Sequence, residues 1–196
     1  MDPNVPSDIR ALHEQLDAAE RDARAIVDGL SEEQGTQRPR PGAWCVSECF
    51  DHLATANRVY LRAMKAAADH ARTRERYRRG PAKPGLAGRL FMFTLEPPPR
   101  WWSKLKAPRK IRPREAPPLA DSLASFAASQ RDVRAFLRST ADLDLARIRF
   151  INPFVRGIRF SVATGLHVIT THERRHLWQA WGVRRAIERA ENGSRR

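Results

Sequence analysis

The chain has 196 residues and a mass of 22.3 kDa, with 41 % hydrophobic and 30 % charged residues, a composition that supports a buried core and excludes a disordered or collagen-like polymer. Two cysteines are too few for a disulfide-stapled miniprotein, no apolar run approaches the ~18 residues of a membrane span, and residues 1–10 lack the apolar stretch of a secretory signal, so a single cytoplasmic domain over 1–196 is expected. The net charge of +14 and a pI near 11.2 predict weak, nonspecific attraction to polyanions such as nucleic acid or an anionic membrane surface.

Residues 8–30 repeat apolar positions at helical spacing (Ile9, Leu12, Leu16, Ala19, Ala23, Ile26, Val27, Leu30), with Ser7 and Asp8 as candidate caps. Residues 31–43, with Pro39, Pro41 and Gly42, read as a loop. A second helix is expected over 46–71, along the stripe Val46, Cys49, Phe50, Leu53, Ala56, Tyr60, Leu61, Met64. Segment 72–118 breaks the pattern. Between Arg72 and Arg114 it carries fourteen Arg or Lys against Glu75 and Glu96, and its Pro runs at 97–99 and 117–118 forbid a continuous helix. It reads as a long basic, Pro-rich insertion, interrupted by Leu90–Phe93 and by Trp101-Trp102. A third helix fits 119–140. Weak strand-like pieces follow at 147–151 and 158–160, and a fourth helix at 161–191. Four long amphipathic segments predict an all-α four-helix bundle, with the insertion between its second and third helices.

The fourth helix holds His172-Glu173-Arg174-Arg175-His176. Two His at i and i+4 lie about 40° apart around a helix and one turn apart along it, so both rings can reach one ion. The pair falls at the edge of the apolar stripe, where two imidazoles without partners would be costly. The same letters spell the H-E-x-x-H of zinc proteases. Against that reading, the middle pair is doubly charged and no third ligand follows at protease spacing. A better third ligand is His52, which sits among the interior-facing residues Cys49 and Leu53. Ligands on facing helices converge in a bundle core, and three imidazoles leave positions open for chemistry.

These pieces, Pro41-Gly42-x-Trp44 leading into Glu48 and Asp51-His52-Leu53, then His172-x-x-x-His176-x-x-Gln179, resemble the DinB-like, or YfiT-like, family of metal-dependent proteins. The resemblance covers the second and fourth helices by motif and the others by pattern. It implies a four-helix bundle, commonly dimeric, with one divalent metal on His52, His172 and His176. It also implies hydrolase-like or thiol S-transferase activity on a small molecule, including a low-molecular-weight thiol. Imidazole ligands suit zinc or nickel first, then iron or manganese. Such an ion would turn water or a thiol into a nucleophile. Glu48 and Glu173 are the candidate proton relays, each equally readable as an exposed helix carboxylate near an Arg. Gln179, one turn beyond His176, is placed to orient a ligand.

The remaining candidates carry less. His13 and His70 fall on polar stretches and are expected to be solvated, and His167 lies about 140° from His172 around the helix. Cys45 and Cys49 read as core or capping residues rather than half of a Cys2His2 site. The basic run with Trp101-Trp102 offers an alternative function, a non-catalytic metal-binding scaffold whose insertion binds an anionic partner such as nucleic acid. A solvated, charge-rich excursion is the simpler expectation for it.

Overall fold

The computed structural model describes residues 5–98, 107–155 and 157–194. In chain order these form α1 (Ser7–Val27), α2 (Glu32–Thr36), α3 (Val46–Arg72), α4 (Leu86–Leu95), a single 3-10 turn (Arg109–Ile111), α5 (Leu119–Ser139), β1 (Arg149–Ile151), β2 (Arg159–Ser161) and α6 (Val162–Ser194). The fold is all-α, built on α1, α3, α5 and α6. The strand-like pieces pair as one antiparallel hairpin, with Phe150 opposite Phe160. The expected Trp101-Trp102 pair lies outside the described residues.

Two stretches depart from expectation. The loop at 31–43 contains α2, because Ser31 and Gln34 form a reciprocal capping box that satisfies the first N–H groups of a short helix. Within the insertion, Leu86–Leu95 is helical. Gly85 starts it, and the prolines at 97–98 mark its limit. The apolar patch at 90–93 belongs to this helix.

The helix directions follow from what shares the core. Ile9, Leu12 and Leu16 of α1 are buried with Tyr60, Met64 and Ala68 of α3, Val133 and Leu137 of α5, and Val162 and Leu166 of α6. The second half of α1 (Ala19, Ala23, Ile26) is buried instead with Val46 to Ala54 of α3, Leu119 and Phe126 of α5, and Leu177 to Ile187 of α6. Hence α1 and α6 run one way, and α3 and α5 the other. Adjacent α3 and α5 are parallel, so the chain leaving α3 must travel back along the bundle before α5 can start. For the 27 residues of α3 that return is roughly 40 Å. The basic insertion is this crossover.

Specific contacts pin the crossover to the bundle. Asp8 accepts from Arg78 at 2.6 Å and from the Ala82 N–H. Gly88 lets α4 lie against α6, since a Cβ there would come within 2.4 Å of the Thr164 methyl. Glu96 accepts from Arg174 of α6, and Asp51 of α3 holds Arg114. The crossover therefore passes along the α3 and α6 side of the bundle, where the three candidate histidines lie.

Candidate metal centre

Helix α3 starts at Cys45, a poor cap by itself. Glu48 reaches back to accept the Cys45 N–H at 2.9 Å, and the Cys45 sulfur lies 3.2 Å from the Ser47 hydroxyl. This fixed start sets the rotation of α3 and turns His52 inward, where it is 1 % exposed. Helix α6 brings His172 and His176 to the same point. The ligating nitrogens of the three rings lie within 4.8 Å of one another. Ring centroids are 4.5 Å apart for His52 and His176, 4.6 Å for His172 and His176, and 5.0 Å for His52 and His172. Trp44 stacks on His176 at 5.6 Å and tilts over His52 at 4.8 Å.

Two neighbours set the tautomers. The His52 Nδ1 lies 2.5 Å from the Ile111 carbonyl oxygen. A carbonyl only accepts, so Nδ1 carries the proton and Nε2 presents a lone pair. The His176 Nδ1 lies 3.0 Å from the Gln179 side-chain oxygen, which leaves its Nε2 bare in the same way. Gln179 thus touches His176, as its spacing predicts. Ile111 comes from the crossover, and its role is a backbone one that no residue type announces.

The group passes three physical tests as a metal site. The His52 and His172 Nε2 atoms are 3.2 Å apart. That is a hydrogen-bond length if one ring donates, and it also matches the roughly 3.3 Å between two nitrogens on a tetrahedral ion with bonds of about 2.0–2.1 Å. Burial lowers the pKa of all three rings below the ordinary value of 6.5, and each of His172 and His176 is pushed further by the neighbouring His and by Arg175. The imidazoles are therefore neutral at pH 7, the form that binds metal. Finally, the rings line an open cleft of about 1110 Å³, so a ligand can reach them. Its wall carries Arg40, Arg112, Arg175 and Trp178.

The other candidates are placed differently. Glu48 borders the same cleft, but its carboxylate accepts from Arg38 at 2.6 Å and from the Cys45 and Ala116 N–H groups. Burial acts to raise its pKa, and these bonds outweigh burial and hold it below the usual 4.5. Glu173 is 0 % exposed and turns into the bundle, accepting from Asn57 at 2.7 Å and Gln130 at 2.9 Å. Burial pushes it up to about 7 against those two bonds. Neither carboxylate is hydrogen-bonded to a histidine of the group. Cys45 and Cys49 are buried free thiols, with Cys49 pushed up by burial, and neither joins the group. His167 bonds the Ala82 carbonyl at 3.3 Å. His70 is exposed, but His13 is only 8 % exposed, contrary to expectation. It falls on the face of α1 that also buries Ile9 and Leu16, and helical spacing outweighs the polar letters around it.

A family model described as the DinB superfamily matches residues 15–180. The chain belongs to the DinB superfamily. No curated protein and no solved structure matches it. The match spans α1 through most of α6, so this DinB-superfamily protein includes the crossover within the family region.

Two effects are expected around the site. Glu48→Ala should destabilise the fold by about 0.5–2 kcal/mol through loss of the α3 cap, read by urea unfolding. Because the folded pKa of Glu48 lies below its unfolded value, its contribution is complete above the ordinary carboxylate range and lost as pH falls through the depressed folded value. Wild type and variant should therefore converge in acid. Gln179→Ala should lower affinity for a divalent ion about tenfold by releasing the His176 ring, read by chelator competition.

Proposed function

We propose that this protein is a metal-dependent enzyme in which His52, His172 and His176 hold one divalent ion, zinc or nickel ahead of iron or manganese. The observation that carries the reading is the convergence of three neutral imidazoles, two with their tautomers set by neighbours, on the floor of an open cleft. A structural site would be closed by a fourth protein ligand; three ligands at a cleft are the catalytic pattern. The bound ion would supply the charge that makes a water or a low-molecular-weight thiol nucleophilic near neutral pH, giving a hydrolase or a thiol S-transferase.

The protein's own groups divide the remaining work. Ile111 and Gln179 keep the ring nitrogens aimed inward. Trp44 covers two of the rings and keeps water from their faces. Arg40 and Arg112 on the cleft wall favour a substrate with a carboxylate or phosphate group. Glu48, held ionised by Arg38, serves as a fixed negative charge rather than a strong base. Glu173 acts on the site only through the position of α6. The test is elemental analysis of protein purified without tag or chelator, followed by turnover assays with and without added thiol. One equivalent of metal, and activity that returns with the metal after chelation, support the reading. Metal-free protein that takes up no divalent ion would end it. Dependence on thiol then separates transferase from hydrolase.

A further inference from the structure

Seven large hydrophobic side chains are exposed among the described residues, and five of them come from two adjoining elements. Leu86, Leu90 and Phe93 of α4 are 81 %, 69 % and 49 % exposed. At i, i+4 and i+7 they form one stripe on the helix. Gly88 faces α6, so the stripe faces outward. The other two, Ile151 and Ile158, at 62 % and 43 %, lie on the hairpin, whose Phe160 packs on Phe91 of α4 at 5.4 Å. Helix α4 and the hairpin thus share one side of the molecule.

Exposed cations crowd this side, and the nearby carboxylates Asp8, Glu96 and Asp144 are each paired with an arginine. Arg79, Lys83, Arg89, Arg149 and Arg159 are exposed. There is no Asp or Glu from residue 76 to 95, nor from 145 to 172. Arg89 lies about 60° from Leu86 around α4, at the edge of the stripe. A cationic surface with an apolar centre complements an anionic bilayer, where Leu and Phe enter the acyl boundary and Arg and Lys meet phosphate. A second copy fits worse. A symmetric contact would place these cations against one another, and the nearby carboxylates already have arginine partners. Nucleic acid would use the charge but leave the aliphatic stripe in water. No helix among the described residues is long and apolar enough to cross a membrane, so the contact is a surface one.

We propose that α4 and the 149–161 hairpin form a docking face for anionic lipid surfaces. Helix α4 ends at Leu95 on the wall of the metal cleft, and its Thr94 carbonyl accepts from Arg175. Docking would bring the mouth of the cleft close to the bilayer. The exposed stripe is independent of the metal reading, since Leu86, Leu90, Phe93, Ile151 and Ile158 do not line the metal cleft.

The test uses the whole 196-residue chain and co-sedimentation with two kinds of vesicle, phosphatidylcholine alone and phosphatidylcholine mixed with phosphatidylglycerol. Wild type should bind the mixed vesicles, release at high salt, and ignore the neutral ones. Leu90→Asp should weaken binding by at least about tenfold, as expected for one buried Leu replaced by a charge. Leu86→Ser should weaken it less. Both positions are exposed, so helical circular dichroism and metal content should stay at wild-type values. Absence of binding to mixed vesicles would overturn the proposal. So would binding that Leu90→Asp leaves unchanged, which would assign the attraction to net charge alone. Self-association on gel filtration that Leu90→Asp abolishes would assign the face to a second copy instead.

Discussion

His52→Ala protein is expected to lose divalent-metal affinity by more than the roughly 10–100-fold that removal of an outer partner costs. The reason is geometric. His172 and His176 come from one helix, one turn apart, and by themselves offer two ligands on an open side. His52 arrives from α3, and its Nε2 stands 3.2 Å from that of His172. Without it the ion would keep only two imidazoles, and the affinity of the remaining pair would be that of a two-ligand i, i+4 couple. His176→Ala should fall as far. His167→Ala should not, because that ring bonds the Ala82 carbonyl and lies outside the group. Chelator competition on the three variants, with circular dichroism to confirm folding, gives the comparison. Equal metal affinity in His52→Ala and His167→Ala would remove the three-histidine site.

The second large effect should come from a residue that never touches the ion. Asp51→Ala is expected to cut metal affinity about 10–100-fold while costing the fold about 1–3 kcal/mol. Asp51 accepts from the Arg114 backbone N–H at 2.9 Å and from its guanidinium at 2.9 and 2.7 Å. Arg114 lies three residues after Ile111, whose carbonyl fixes the His52 tautomer. Removing the carboxylate frees that stretch of the crossover, and the His52 ring loses the partner that kept its Nδ1 protonated. The Arg114 side chain is 64 % exposed, so it can be resolvated at little cost. Arg114→Ala should move affinity in the same direction. If Asp51→Ala destabilises the fold and leaves metal affinity at the wild-type level, the carboxylate is a structural anchor only.

The contrast between His52 and Ile111 shows how far residue letters can go. The three histidines are legible because helical spacing is a local rule, and 172 and 176 must share a face wherever the helix packs. Gln179 is legible for the same reason, three residues past His176 and in contact with it. The four long helices follow from periodicity, and the family resemblance rests on the same motifs. Glu48 could be placed on the second helix by periodicity. Its pairing with Arg38 and Ala116 could not, because those partners arrive from separate loops.

The sequence by itself determined the four long helices, most of their inward faces and the residue types able to ligate, because each depends on neighbours within a few positions of the chain. It also carried the net positive charge. Only the tertiary structure decided that α3 and α5 run parallel, that the basic segment is therefore a crossover of roughly helix length, and that this crossover lends a backbone carbonyl to His52 and an apolar face to the surface. Those outcomes depend on distances between residues far apart in the chain. A backbone carbonyl, present at every position, has no letter of its own to be read.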